Sequence, residues 1–322
     1  MPESIIDLAD KFRAALLKQD AAAMSRLITA YTQLYGRLKD KMDLLLFSMQ
    51  SIEKITPNAI RQLARYKDLM EGVASELGKY SVYVETEISV TSRAAIESAV
   101  RDTTAYLKSV GLSSPAGLPV GAIESLLGFL QPNGALYNRL SMLAPTHTAR
   151  IMDALLEGIG LGYNPVKTAR LFENLMGGGL TDALRMTRTA QLYSYREASR
   201  ANYIANSDVV QGWIWHSALD SATCLSCIAM EGTIHPLSET LNDHYNGRCA
   251  MIPYLGDNAP EKTGQDWFET QSEATQKQMM GNEKWKAWQG GAFEFKDLSG
   301  THIDPVYGAM RGETSLKDLL GL

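Results

Sequence analysis

No stretch of the chain reaches the ~18 uninterrupted apolar residues that a membrane-spanning helix requires, so a membrane protein is not expected. The opening Met1-Pro2-Glu3-Ser4 lacks the basic cluster and apolar run of a secretory signal, which points to a chain that works in the cytosol where it is made. Excess positive charge is also missing. Lys and Arg number 31 against 36 Asp and Glu, a net charge of −5, so the field of the molecule repels nucleic acid. The basic residues are dispersed among carboxylates along what read as helix surfaces, and no specific nucleic-acid binding is expected. There is no internal repeat, no low-complexity tract, no G-x-S-x-G elbow, no H-E-x-x-H and no phosphate loop. Cysteine is scarce, 3 in 322 residues, which excludes a disulfide scaffold.

What is present is ordinary globular composition, 45% hydrophobic and 21% charged, arranged at helical spacing. Ile5, Leu8, Phe12, Ala15 and Leu16 form one amphipathic stripe. Met24, Leu27, Ile28, Tyr31, Leu34, Leu38, Met42, Leu45 and Met49 form a longer one. Thr56-Pro57-Asn58 interrupts the pattern, since Pro disfavours helix for the residue before it. Leu63, Tyr66, Met70, Val73, Leu77, Tyr80 and Val84 then alternate by three and four. That is the seam of a long helix packing on an antiparallel neighbour or forming a coiled coil, so self-association through these helices is an expectation. A further helix is expected over 92–110, then a turn-rich connection from Gly111 to Pro119. The apolar segment from Ile123 to Leu130 is too short to cross a bilayer and reads as a buried turn or two of helix.

Helical spacing returns with Ile151, Leu155, Leu156 and Ile159. Asn164-Pro165 marks another helix start, with Asn as the cap and Pro at the first helical position. Gly177-Gly178-Gly179 is expected to stop this helix at Met176, and a new helix over 181–205 carries Arg185, Arg188, Arg196 and Arg200. After Ser207 the texture changes: Val209 to Leu219 is rich in β-branched and aromatic residues and reads as a strand. Glu261 to Met280 is helical again, and Gly281, Gly290 and Gly291 bound a short helix with Trp285 and Trp288. The fold class is therefore mainly α with a small C-terminal α+β region. Three consecutive regions are expected: an elongated helical part over 1–150, connecting helices over 151–206, and a Cys/His module with C-terminal helices over 207–322.

All three cysteines fall in one short segment, Cys224-Leu225-Ser226-Cys227 and then Cys249. A C-x2-C lets two thiolates reach one ion from a tight turn, and a second segment must complete a tetrahedral site. His244 and Cys249 can supply that completion, giving a structural zinc site of three cysteines and one histidine. The alternative is three cysteines packed or redox-paired without metal. A thioredoxin-type site is disfavoured for want of a βαβ unit, and His235 reads as a loop histidine that could substitute as a ligand.

These residues carry a resemblance. Arg188-Thr189 on a helix, Val210 to Trp215, then Asp220, Thr223, Cys224, Cys227, Gly232, His244, Arg248 and Cys249 resemble, in order and spacing, the signature of Mu F-like minor head proteins of tailed phages. The resemblance runs from about Leu155 to Leu298, somewhat under half of the chain. Gly247 stands where that family often has the first Cys of a Cys-Arg-Cys. The resemblance implies a head-morphogenesis protein, not an enzyme, assembled in the host cytoplasm into the virion head beside portal or capsid proteins. It also implies that Arg188 and Arg196 brace their helix against the Cys module through carboxylates such as Asp220 or Glu231, and that Asp220 and Thr223 tie the turn presenting Cys224 and Cys227. The competing reading is a metal-dependent HNH-like nuclease, suggested by Asp243-His244 after a C-x2-C. It lacks a second nearby histidine, since after His244 the next is His302.

Overall fold

A computed structural model describes residues 5–49, 56–126, 134–161 and 163–322. The amphipathic stripes become very long helices. Helix α1 spans Ile5–Met49, α2 Pro57–Gln62, α3 Ala64–Ser109, α4 Val120–Leu126, α5 Ala135–Ser141, α6 Leu143–Gly160 and α7 Pro165–Ala205. Residues 127 to 130 of the apolar segment lie outside the described residues. The mainly α class with a small C-terminal α+β region is what the structure has. No described helix is long and apolar enough to cross a membrane.

The chain forms two compact units, neither continuous in sequence. One comprises Gln19–Thr91 and Phe129–Arg188; the other comprises Met1–Lys18, Ser92–Gly128 and Thr189–Leu322. These units do not follow the consecutive regions expected from sequence, and their limits after Lys18, Thr91 and Arg188 fall inside α1, α3 and α7.

In the first unit α1 and α3 run antiparallel. Arg26 pairs with Glu87 at 2.8 Å, Arg37 with Glu76 at 2.5 Å and Lys41 with Asp68 at 2.6 Å, so partners descend along α3 as they ascend along α1. Leu27, Leu34, Leu38, Met42 and Leu45 of α1 and Leu69, Val73, Leu77, Tyr80 and Val84 of α3 are all buried. Leu69 takes the buried position that the spacing gave to Met70, and Ile28 is exposed. Thr56 caps α2 by accepting from the Ala59 N–H at 3.2 Å, with Pro57 in the first turn. Asn164 caps α7 in the same way, accepting from the Lys167 N–H at 2.8 Å.

Helix α7 does not stop at Gly177-Gly178-Gly179; it continues to Ala205. Gly179 serves close approach. A Cβ at Gly179 would stand 3.1 Å from the Tyr31 hydroxyl and 3.5 Å from the His147 ring, and the Tyr31 hydroxyl donates to the Met176 carbonyl. At Gly179 the conformational cost of glycine inside a helix, ~0.5–1 kcal/mol, is offset by packing that a side chain there would block.

In the second unit β1 (Gly212–His216) is the middle strand of an antiparallel sheet ordered β2-β1-β3, with β2 at Ile234–His235 and β3 at Ala250–Tyr254. Trp213 lies opposite both His235 and Pro253. Pro253 is tolerated because β3 is an edge strand. Every residue of β1 is buried, since both its faces are covered. Trp213 and Trp215 join Tyr203, Cys227, Leu241, Cys249 and Met251 on one side, while Ile214 joins Leu8, Tyr106 and Ile252 on the other.

Helix α8 (Leu225–Met230) follows, and Leu225 and Ile228 pack with Phe268, Met280, Phe295 and Leu298. The helix expected from Glu261 to Met280 is two helices, α9 (Gly264–Glu269) and α10 (Glu273–Met280). Each has its own cap: Thr263 and Asp266 form a capping box, and Ser272 accepts from the Thr275 N–H. After α11 (Asn282–Gln289) comes a hairpin without an expectation from sequence, β4 (Ser299–Asp304) against β5 (Gly308–Glu313), and then α12 (Leu316–Leu319).

Candidate metal centre

Between β1 and α8 the chain turns sharply, and two side chains close the turn. The Asp220 N–H donates to Thr223 Oγ1 at 3.0 Å, while Thr223 Oγ1 and the Ala222 N–H donate to Asp220 Oδ1 at 2.9 and 3.0 Å. This delivers Cys224 to the N-cap of α8, where its sulfur accepts from the Cys227 N–H at 3.4 Å. One helical turn then brings both thiols to one side. Arg248 clamps the turn from the second segment with a two-pronged bond to Asp220, 2.7 and 2.6 Å. That fork is the main reason the Asp220 carboxyl is held far below the usual carboxylate range. At the far end of α8, Gly232 has φ +78°, donates to the Trp215 carbonyl at 2.9 Å and passes so near Lys262 that a Cβ would sit 3.2 Å from its carbonyl oxygen.

The second segment, 242–249, is held from α7 by Arg196. Its Nε donates to the Cys249 carbonyl at 3.0 Å, and its Nη2 donates to the Gly247 carbonyl at 2.9 Å and to Asp243 Oδ2 at 3.1 Å. Both charged groups are buried, Arg196 5% and Asp243 2% exposed. A buried ion pair survives only if its remaining hydrogen-bonding capacity is met. Here the His244 N–H donates to Asp243 Oδ1 at 2.8 Å and the Cys249 N–H to Oδ2 at 3.3 Å. Burial raises the pKa of Asp243, but Arg196 and His244 outweigh it and bring it below its ordinary value.

The two segments meet at the thiols. His244 Nε2 lies 3.2 Å from Cys224 Sγ and 3.3 Å from Cys227 Sγ. His244 Nδ1 lies 2.8 Å from the Tyr245 carbonyl, which can only accept, so Nδ1 carries a proton and Nε2 is the atom turned to the sulfurs. The hydrogen bond from Cys227 and then the His244 imidazole push the Cys224 thiol down to about 5, and Cys224 in turn pushes His244 up to about 9. Each of the two thus favours the charged form of the other, and His244 Nε2 faces the place that a cation would take. Cys227 is raised by its bond with Cys224 and by Cys249, and Cys249 is raised by burial. All three cysteines are free thiols.

Cys224, Cys227 and His244 make one set of donor atoms within 4.8 Å of one another, and Cys227, Asp243 and Cys249 make a second. A cavity of about 50 Å³ opens beside them, lined in part by Thr223, Cys224, Cys227, His244 and Cys249. This Cys, His and Asp group can hold a metal ion; the mixture of soft thiolates with one imidazole fits the preferences of zinc.

The structure therefore gathers Cys224, Cys227 and His244, and brings Cys249 in through its neighbours Cys227 and Asp243. Arg196 braces the module as expected of it, but through Asp243 and two carbonyls, not through Asp220 or Glu231. Asp220 belongs to Arg248, and Glu231 to His216 at 3.2 Å and to the Ser217 N–H. Arg188 lies in the other unit, where it bonds Asp20 at 2.7 Å. His235 does not join the cluster; its ring nitrogens face Thr233 Oγ1 at 2.8 Å and Glu239 Oε2 at 2.9 Å. Asp243 enters the sequence reading only in the nuclease alternative, not as a metal ligand. Its signal was only its place immediately before His244, and its importance depends on an arginine 47 residues away. No family model, curated protein or solved structure matches the chain.

Proposed function

We propose that this chain is a minor head protein of a tailed phage, acting in head morphogenesis as a structural component associated with portal or capsid proteins. One observation carries the reading: six of the residues on which the Mu F-like resemblance rests, Asp220, Thr223, Cys224, Cys227, His244 and Arg248, converge in one knot. The Asp220–Thr223 turn, the C-x2-C, His244 and Arg248 are joined by direct hydrogen bonds. The knot is built for holding. Its buried carboxylate is fixed in place by Arg196, two backbone N–H groups and, with no ion bound, the Cys227 thiol.

Zinc is the ion proposed for the site, held by Cys224, Cys227 and His244 and completed from the second set. Bound there, it would act as a cross-link between the α8 turn and the 242–249 segment, contributing folding energy beyond that of the core around β1 and α8. The protein would be assembled in the host cytoplasm and retained in the virion head, with the long helices as the surface offered to a portal or capsid ring.

The test is sedimentation of the purified protein with portal rings or proheads from the same phage. Co-sedimentation, with portal and capsid genes as neighbours of this gene, is the expected result. Failure to associate, together with divalent-metal-dependent cleavage of DNA that disappears in His244→Ala, would replace this reading with the nuclease one.

A further inference from the structure

The fourth donor of the metal centre can be chosen on geometry, an inference that rests on the metal-site part of the reading above. A tetrahedral zinc with sulfur at ~2.3 Å and nitrogen or oxygen at ~2.0–2.1 Å holds its donors roughly 3.3–3.8 Å apart. Cys224 Sγ to His244 Nε2 is 3.2 Å and Cys227 Sγ to His244 Nε2 is 3.3 Å, already near those separations. Asp243 Oδ1 stands at the same spacing from two of these three, 3.3 Å from Cys227 Sγ and 3.5 Å from His244 Nε2. Asp243 and Cys249 both stand in the second set with Cys227, and what distinguishes Asp243 is that its Oδ1 also reaches His244 Nε2 of the first set. Cys249 serves the site through its backbone, its N–H holding Asp243 Oδ2 and its carbonyl holding Arg196.

Gly247 shows that the carboxylate's place is reserved. A Cβ at that position would fall 2.0 Å from Asp243 Oδ2 and 2.1 Å from its Cγ, so a side chain there would force the carboxylate out of its place. The space above residue 247 is filled by the Asp243 side chain, and Arg196, the His244 N–H and the Cys249 N–H fix that side chain in position. Hydrogen bonds of this kind orient a ligating carboxylate and set which oxygen faces the ion.

The geometry points to Asp243 as the fourth ligand of a zinc centre formed with Cys224, Cys227 and His244, a set of two sulfurs, one nitrogen and one oxygen, with Cys249 as a buried supporting thiol. Zinc binding at this set releases any proton carried by His244 Nε2 or by the two thiols, and no electron is transferred.

The deciding measurement is zinc-edge X-ray absorption on the full chain loaded with one equivalent of zinc. Two sulfur and two nitrogen or oxygen scatterers are expected; three sulfurs and one nitrogen would overturn the assignment. Cobalt(II) substitution gives an independent readout, because thiolate-to-cobalt charge transfer grows with the number of thiolates. Cys249→Ser should keep the wild-type band, and loss of about a third of it would speak against Asp243. In zinc competition titrations Asp243→Asn and Gly247→Ala should each weaken binding by at least about tenfold, and wild-type affinity in both would overturn the proposal. A chain that takes up no zinc overturns the metal centre but leaves the portal and prohead assay to decide the assembly role. Failure of that assay with two sulfurs at the zinc leaves Asp243 in place.

Discussion

Arg196 and Asp243 are both withdrawn from water, and neither is tolerable there without the other. Removing one partner of such a pair leaves a buried charge uncompensated and costs ~3–5 kcal/mol. Arg196→Met, which keeps much of the apolar stem, should therefore destabilise by that amount in urea unfolding, and a loss under 1 kcal/mol would show the pair to be dispensable. His216 makes a second prediction. Burial lowers its pKa, but the hydrogen bond and charge of Glu231 and the bond to Asp10 outweigh burial and the nearby Arg13, leaving it raised from its ordinary value. Its Nδ1 lies 3.2 Å from Glu231 and its Nε2 3.0 Å from Asp10. A raised folded-state pKa means that the stabilisation is complete below the ordinary imidazole value near ~6.5 and is lost as pH rises through the higher folded value. The gap in melting temperature between wild type and His216→Gln should accordingly shrink as pH rises above that value, and a gap that widens would reverse the sign. The thiols and His244 could be read from sequence because ligand spacing is a local property. Asp243 could not, since a carboxylate becomes part of a site only when a partner as distant as Arg196 comes to neutralise it.

Helices were legible wherever their seams repeat, as along α1 and α3, because periodicity of 3.6 is visible within a few turns. The triple glycine misled for a physical reason. Glycine ends a helix when the chain needs a left-handed residue, but in α7 it makes room for Tyr31 and His147 from other helices, which no local pattern reveals. The three positions should then differ. Gly177 has nothing within 4 Å of its Cβ position, so Gly177→Ala should stabilise by ~0.5–1 kcal/mol. Gly179→Ala meets the Tyr31 hydroxyl at 3.1 Å and should lose that gain or reverse it. Equal effects in denaturant titrations would remove close approach as the explanation. The β4–β5 hairpin escaped notice because Gly300, Gly308, Gly312 and Pro305 dilute the β-branched signal. Its register, Ser299 opposite Glu313 through Asp304 opposite Gly308, comes from pairing rather than composition. The split between α9 and α10 was written in the caps Thr263 and Ser272, but the apolar spacing across them read as one helix.

In the molecule as a whole, a consecutive division was the natural expectation from sequence, and the compact units cut across it because their defining contacts are long-range. His216 meets Asp10 across 206 residues and Tyr195 meets Asp102 across 93, and neither pairing leaves a mark on local pattern. The unit that holds the cysteine knot is assembled from three separated stretches, so a cross-link at the knot acts on a large part of the chain at once. All 5 tryptophans lie between Trp213 and Trp288, inside that unit, so their fluorescence follows its unfolding alone. An ion that binds only the folded state stabilises it by ~2.7 kcal/mol at a free concentration a hundredfold above Kd. For a unit of this size that corresponds to roughly 5–10 °C in the melting transition. Chelation should lower the tryptophan-monitored transition by that much, and added zinc should restore it. Cys224→Ser should start at the lower temperature and respond to neither treatment. A tryptophan transition in the wild type that moves with neither chelator nor zinc would mean that the knot is held by Arg196, Arg248 and packing without a metal.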